Sequence, residues 1–204
     1  MPTGAGTRTP QEERSRATRQ RLLEATVDCL VERGWAGTTT TVIVERAGVS
    51  RGAQLHHYPT KSELVMAAVD HVGRARVAEV RDAATRLRPG RQRTKAVLDM
   101  LADFFTGPLF VAALELWVAA RTDETMRAAV SDLEARLGRE THALTVELLG
   151  VDESRPGARE AVQATLDLVR GLGLANLLTD DRARRDRILR AWGRTLDETL
   201  GVVG

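Results

Sequence analysis

The chain has 204 residues, of which 43% are hydrophobic and 28% are charged. This apolar content excludes wholesale disorder, and the length allows one full domain or two small ones. The net charge of +2 is too small to indicate a polyanionic partner by itself, and no apolar run approaches the ~20 residues of a membrane helix.

Cysteine usage and local charge further restrict the class of protein to which the chain can belong. Cys29 is the only cysteine, which excludes an intrachain disulfide and favours a buried structural thiol. The N-terminus has no apolar signal region, so we expect a cytoplasmic protein. The first 62 residues carry nine basic and six acidic side chains, which favours a nucleic-acid contact at this end. Arginine greatly outnumbers lysine, however, so most arginines are expected to be ordinary solvated residues.

The N-terminal part of the chain predicts an arm and two helices. Residues 1–12 have no apolar periodicity and are expected to be disordered. An amphipathic stripe from Leu22 to Val31 predicts the first helix, and Gly34 is expected just beyond its end. Four threonines, Thr38 to Thr41, suit the start of a second helix because a hydroxyl can cap a backbone N–H or meet a phosphate. The turn Gly48-Val49 ends that helix.

The third predicted helix carries the most informative pattern. Ser50 suits its N-cap, and the segment from Arg51 to Tyr58 contains polar hydrogen-bonding groups where most helices have aliphatic residues. A short polar helix after a packed helix and a glycine turn is typical of a helix-turn-helix, whose second helix enters the DNA major groove. Pro59 ends this helix, and Thr60 with Glu63 predicts a capping box for a fourth.

Everything after residue 63 has a helical pattern. The fourth helix is predicted to run to about Leu87, with Pro89-Gly90 as its breaker. Further helices are predicted over about 97–105, 109–120, 123–149, 158–179 and 181–200. No segment shows sustained two-residue alternation, so the predicted fold is all-α.

The order of signals in residues 14–65 resembles the TetR-type (tetracycline-repressor-like) bacterial transcriptional regulators. The resemblance rests on the helix end at Gly34, the threonines before Ile43, Ala47-Gly48-Val49-Ser50, Arg51-Gly52, His57-Tyr58, and Lys61 ahead of Leu64. It implies a three-helix helix-turn-helix DNA-binding domain over 13–62. A larger helical-bundle domain for ligand binding and dimerisation would follow over 63–204.

The resemblance also implies a DNA-binding surface. Thr39 or Thr40 and Lys61 would hold phosphates, and a phosphate would explain a cation in the first turn of a helix. The chain departs from the family at Gln54 and Leu55, where the family usually has an aliphatic residue and a tyrosine. A glutamine that faces DNA can read adenine, and an arginine can read guanine. The predicted DNA-binding residues are Thr39, Thr40, Ser50, Arg51, Gly52, Gln54, His56, His57 and Lys61.

The sequence contains little that indicates a metal site or a catalytic site. His56 and His57 lie about 100° apart on a helix and do not converge on one ion without other ligands. No nucleophile-elbow, zinc-protease, P-loop or dinucleotide motif is present. We therefore expect no metal, no cofactor and no enzymatic activity. A helical enzyme that carries this helix-turn-helix domain stays an alternative.

Glu115 is the only charge in the apolar segment LFVAALELWVAA. A buried carboxylate needs a partner, so it either orients a ligand in a cavity or is satisfied within a core helix, for example by Arg121. The first reading predicts a ligand pocket formed by Met100, Phe104, Phe105, Glu115, Trp117 and Arg121.

The last two helices have apolar stripes that suit two arrangements. The resemblance implies that they pair with a second copy into a four-helix dimer interface, whereas the pattern alone also suits an intramolecular bundle. The predicted interface residues are Leu166, Val169, Gly173, Ile188, Trp192 and Leu196.

The sequence therefore predicts a homodimeric, sequence-specific transcriptional regulator. We expect it to be a repressor whose two DNA-binding domains lie about one helical turn (~34–36 Å) apart. Together they would bind a near-palindromic double-stranded DNA operator. A small-molecule effector would release it by shifting its population between two arrangements. The alternative is a non-specific architectural DNA-binding protein without an effector.

Overall fold

The computed structural model describes residues 10–87 and 91–201, and within these ranges the chain forms nine α-helices and no strand. The all-α prediction is confirmed for them. Most of the predicted arm (1–9) and the predicted breaker Pro89-Gly90 lie outside the described residues. The helices are α1 (Pro10–Gly37), α2 (Thr40–Ala47), α3 (Arg51–His57), α4 (Lys61–Ala84), α5 (Arg91–Thr106), α6 (Pro108–Ala120), α7 (Glu124–Leu149), α8 (Ala158–Ala175) and α9 (Arg182–Leu200).

The buried apolar side chains form two clusters. The first joins α1, α2 and the start of α4 to α6 and α7, with Leu30, Ile43 and Leu116 at its centre. The second joins the rest of α4 to α5, α7, α8 and α9, and Trp117 packs against both clusters. Because α1 and α2 share their core with α6, the first three helices form a head that is fused to the larger body. α4 runs through the predicted domain boundary at residue 62 and belongs to both parts.

The helix ends of the head follow from local chemistry. Gly34 has φ 63° and ψ −178°, a combination that is nearly restricted to glycine, and it kinks α1. Gly48 ends α2 in the left-handed conformation, and the Ser50 hydroxyl accepts a hydrogen bond from the Ala53 N–H to cap α3. Thr60 and Glu63 form the predicted capping box of α4. The predicted limit of the arm at residue 12 is wrong, since residues 10–12 already belong to α1.

Cys29 lies in the core of the head, as the sequence indicates. Its side chain is buried, and this burial raises the pKa of the thiol. The thiol is therefore a packing group, because the reactive form of cysteine is the thiolate.

Four of the six predicted dimer-interface residues lie inside the protomer, so for these four the prediction is wrong. Leu166, Val169 and Leu196 are buried by their own chain. A Cβ on Gly173 would collide with the Phe105 carbonyl oxygen, so this glycine lets α8 approach α5 closely. Ile188 and Trp192 are half-buried and pack against the same cluster. The two stripes therefore face the body's own core, which is the intramolecular arrangement that the pattern left open.

Among the described helices, none is by itself long and apolar enough to cross a membrane. The bent pair Gln92–Thr106 and Pro108–Ala120 passes that test by length and composition only.

Candidate functional site

The outward face of α3 is polar and open. Arg51, Gly52 and His56 are exposed on it, and a Cβ added to Gly52 would meet only the Ser50 hydroxyl, at 3.9 Å. Thr39 caps α2 beside this helix by accepting a hydrogen bond from the Val42 N–H. The helix therefore presents an arginine and an unobstructed stretch of backbone to solvent.

Gln54 faces the opposite way and corrects a sequence prediction. Its side chain is 1% exposed, and its amide nitrogen donates a hydrogen bond to the Tyr58 carbonyl oxygen. Its amide oxygen is buried with no hydrogen-bond partner among the described residues. Gln54 thus holds the end of α3 inside the head and is out of reach of a DNA base, whereas Leu55 is exposed. Of the two residues that depart from the family pattern, Gln54 therefore faces inward and Leu55 faces outward.

The far end of α3 is anchored to α1. Arg19 Nε donates a hydrogen bond to the Tyr58 hydroxyl at 2.7 Å, although the two residues are 39 apart in the chain. Burial, His56 and the Arg19 charge, in that order, lower the pKa of His57. His57 is therefore a neutral hydrogen-bonding group near pH 7. Sequence reasoning missed the role of Arg19, because nothing in its spacing pairs it with Tyr58.

Three helices meet at Trp35, just after the kink in α1. The Trp35 backbone N–H donates to Glu115 Oε2 at 2.6 Å, and its carbonyl oxygen accepts from Lys61 Nζ at 2.6 Å. The Lys61 ammonium also lies 3.9 Å from the centre of the Trp35 ring, and burial lowers its pKa. A Cβ on Gly34 would lie 3.0 Å from Glu115 Oε2. We call Gly34, Trp35, Lys61 and Glu115 the head–body junction.

The junction changes the interpretation of two predicted site residues. Glu115 binds the head, and it does not line either of the cavities described next. The half-buried Lys61 ammonium is engaged by Trp35, which explains a cation in the first turn of α4 without a phosphate. Met100 likewise lies outside both cavities and packs against the second core cluster.

Two adjoining cavities lie in the body. The inner cavity has a volume of about 50 Å³ and lies among α4, α5, α6 and α7, with Phe104, Phe105 and Phe110 in its wall. The outer cleft has a volume of about 510 Å³ and is bordered by Arg121 and Arg127. Both cavities are lined by Trp117, Glu134 and Arg170. Of the predicted pocket residues, the structure thus brings together Phe104, Phe105, Trp117 and Arg121.

Glu134 and Arg170 are cavity residues that sequence reasoning missed. Burial raises the pKa of the Glu134 carboxyl, while the Trp117 side chain and the Arg170 charge act in the opposite direction. Both residues occur among other charged residues of amphipathic helices, so no sequence signal distinguishes them from solvated charges.

The two histidines of α3 stand edge to face, with ring centres 5.2 Å apart. Over residues 10–87 and 91–201, no group of three or more His, Cys, Asp or Glu side chains could hold a metal ion.

The capped second helix, the tight turn and the exposed polar third helix define a helix-turn-helix DNA-binding protein. Residues 22–68 match the family model described as "Bacterial regulatory proteins, tetR family". The HTH-type transcriptional regulator CymR of Pseudomonas putida is 33% identical over 185 residues, which cover 89% of this chain and 90% of that protein. The chain belongs to the TetR family of bacterial transcriptional regulators, and the resemblance seen in residues 14–65 is confirmed.

Solved structures share the whole architecture. A transcriptional regulator from Pseudomonas aeruginosa PAO1 matches with a TM-score of 0.68 and 27% identity, over 94% of this chain and 93% of that one. A regulator from Saccharomonospora viridis, solved in complex with choline, matches with a TM-score of 0.63 and 17% identity, over 88% of this chain and 95% of that one. At this lower identity the likeness concerns the fold alone.

Proposed function

We propose that this DNA-binding transcriptional regulator is a cytoplasmic, homodimeric repressor without catalytic activity. It binds a near-palindromic operator and leaves it when a small molecule enters the body. The observation that carries the proposal is the division of α3 into two faces. Arg51, Gly52 and His56 are exposed, while Gln54 and Tyr58 anchor the helix inside the head.

The exposed face supports the following roles for the DNA-binding residues. Arg51 reads a guanine edge, and Gly52 lets the backbone of α3 lie close to the groove. The Thr39 and Ser50 hydroxyls accept from backbone N–H groups and so keep their own O–H for a phosphate. Thr40, His56 and His57 complete the phosphate contacts. Gln54 and Lys61 leave this set, because their polar atoms serve the head and the head–body junction.

The function is tested by selecting bound sequences from random double-stranded DNA with the full-length protein. We expect enrichment of a near-palindrome whose half-sites lie about one helical turn, ~10–10.5 base pairs, centre to centre, or a multiple of it. An architectural protein reads backbone and shape, so it would enrich no such motif. Recovery of unselected sequence at the same affinity would therefore favour that alternative.

The homodimer needs a surface other than the one predicted from the sequence. Ala164, Leu168, Gly171, Ala175 and Leu178 follow one side of α8 and its C-terminal turn, spaced alternately by four and three residues. Leu178 is 94% exposed, and a Cβ on Gly171 would meet nothing within 4 Å. A glycine inside a helix costs about 1 kcal/mol relative to alanine. We propose that a second copy packs on this side, where the absent Cβ allows close approach of its backbone.

Replacing Leu174 with glutamate is expected to convert the dimer into a folded monomer. Leu174 borders the proposed surface and is 54% exposed, so the change leaves the protomer core intact but places a charge at the interface. Operator affinity should fall by about 10²-fold or more, since the two heads then bind independently. Sedimentation equilibrium and operator titration check both effects.

Val118→Glu is the matched control, because Val118 is also an exposed apolar residue but lies on α6. It should leave the dimer unchanged. A Leu174→Glu protein that still sediments as a dimer would move the interface elsewhere, and a monomeric wild-type protein would overturn the homodimer itself.

A further inference from the structure

The inner cavity and the outer cleft together form one amphiphilic site. The inner cavity is walled by phenylalanines and aliphatic residues, among them Phe104, Phe110 and Leu137. The outer cleft is bordered by Arg121 and Arg127. Arg170 lies where the two spaces meet, so a molecule that spans them would have an apolar body inside and its polar group beside this arginine.

The charges around the site favour an anion. Arg121, Arg127 and Arg170 outnumber Glu134 among the ionisable residues that line the two spaces. Arg127 lies 3.7 Å from Glu124, but both side chains are exposed, and such a pair contributes little. The local potential of the cleft is therefore positive.

Arg170 has hydrogen-bonding capacity that its own chain does not use. Its Nη1 bonds Asp167 at 2.8 Å, and its guanidinium lies 5.4 Å from the centre of the Phe105 ring. Its Nε is buried with no hydrogen-bond partner among the described residues. A buried donor without an acceptor raises the free energy of the protein, and a bound carboxylate would supply that acceptor.

We propose that this site binds a small amphiphilic monocarboxylate, with a phenyl or branched-alkyl body in the inner cavity and its carboxylate on Arg170. The assignment rests on the proposed function, because it names the chemical class of the molecule that releases the repressor. Binding satisfies the Arg170 Nε and buries the apolar body against the phenylalanines.

A cavity of aromatic rings with one carboxylate can also suit a cationic ligand such as a quaternary ammonium, since cations bind over ring faces. In this chain the Arg170 guanidinium already lies over Phe105 and faces the Glu134 charge. A second cation would meet repulsion from Arg170 and from the arginines of the cleft. The arrangement therefore disfavours a cationic ligand.

The size of the inner cavity links binding to movement. A volume of about 50 Å³ is far below the ~300–1,000 Å³ of ordinary ligand pockets. The ligand must therefore part the helices around it, including α4 and α7, which approach so closely that a Cβ on Gly73 would lie 3.2 Å from a Leu137 methyl. Because α4 begins at Lys61 in the head–body junction, a displacement of α4 would reach the head.

A wider groove lies between α5 and the α8–α9 turn. Its cationic residues Lys95 and Arg185 already have partners within the groove. Lys95 bonds Asp99 at 2.6 Å and Asp186 at 3.1 Å, and Arg185 bonds Asn176 at 2.8 Å. Among the described residues, the groove has no buried side-chain donor without a partner to compare with the Arg170 Nε.

Isothermal titration calorimetry of the full-length protein tests the proposal. The probes are 3-phenylpropanoate, benzoate and 4-methylpentanoate, each with its neutral amide, and phenethyltrimethylammonium. We expect at least one carboxylate to bind, its amide to bind at least tenfold more weakly, and the ammonium to give no binding. Arg170→Gln should weaken the carboxylate at least tenfold. Arg159→Gln, which removes an exposed arginine of the same helix that is paired with Glu153, should not.

The outcomes separate the ligand class from the regulatory function. Equal binding of acid and amide, binding of the ammonium only, binding that does not depend on Arg170, or no binding by any probe would overturn the monocarboxylate site. The repressor itself is tested separately by operator selection and titration. A carboxylate that binds through Arg170 but leaves the operator complex intact would uphold the site and contradict ligand-driven release.

Discussion

Replacement of Arg51 by alanine is expected to weaken operator binding by about 1–3 kcal/mol, roughly 5- to 150-fold, with little effect on random DNA. Arg51 is exposed at the first position of α3, directly after the Ser50 cap. Its guanidinium can donate two parallel hydrogen bonds to guanine O6 and N7, which no other base pair offers in that arrangement. The loss should therefore fall on specific recognition.

The measurement is fluorescence anisotropy with operator and random duplexes at one fixed salt concentration, since phosphate contacts make affinity depend on salt. Arg51→Lys is the matched control. It keeps the positive charge but lacks the planar fork, so it should lose most of the specificity and little of the random-DNA affinity. An equal loss on both duplexes in Arg51→Ala, restored by lysine, would make Arg51 a phosphate contact.

The second large effect is expected at the head–body junction. Glu115→Ala should lower the free energy of unfolding by about 1–2 kcal/mol, because the partly buried Trp35 N–H loses its acceptor. The head should then lose its fixed orientation, since the contact that joins the Trp35 segment to α6 is gone. Operator affinity should fall about tenfold, because each binding event must order the head again at a similar cost.

Glu115→Gln serves as the control, because the amide oxygen can still accept from the Trp35 N–H. It should retain most of the stability and of the operator affinity. Denaturant unfolding and hydrogen exchange at Trp35 and Ala36 provide the measurements, with faster exchange expected in Glu115→Ala only. Unchanged exchange and unchanged stability in that variant would remove Glu115 from the junction.

The parts of the fold that were predicted correctly depend on neighbours in the chain. A Thr60 hydroxyl and a Glu63 carboxylate three residues later cap a helix wherever it lies, and Gly48 allows a left-handed turn in any context. The family was recognisable for the same reason, because its signals in residues 14–65 are caps, turns and short spacings.

The parts that were predicted wrongly depend on which element covers a given face. Gly171 and Gly173 are the same residue type two positions apart. A Cβ added to Gly171 would enter open space, whereas a Cβ added to Gly173 would collide with the Phe105 carbonyl oxygen. An apolar stripe shows that a face is covered, but a second copy and the chain's own α5 would produce the same stripe. Leu166 and Val169 were assigned to the wrong partner for that reason.

By itself the sequence determined the helical class, the helix-turn-helix head and the family, because these follow from contacts within a few residues. Only the tertiary structure decided that Glu115 and Lys61 meet at Trp35, and that Glu134 and Arg170 meet beside Trp117. These groups come from helices far apart in the chain. Their contacts follow from the angles at which the helices pack, which no local spacing records.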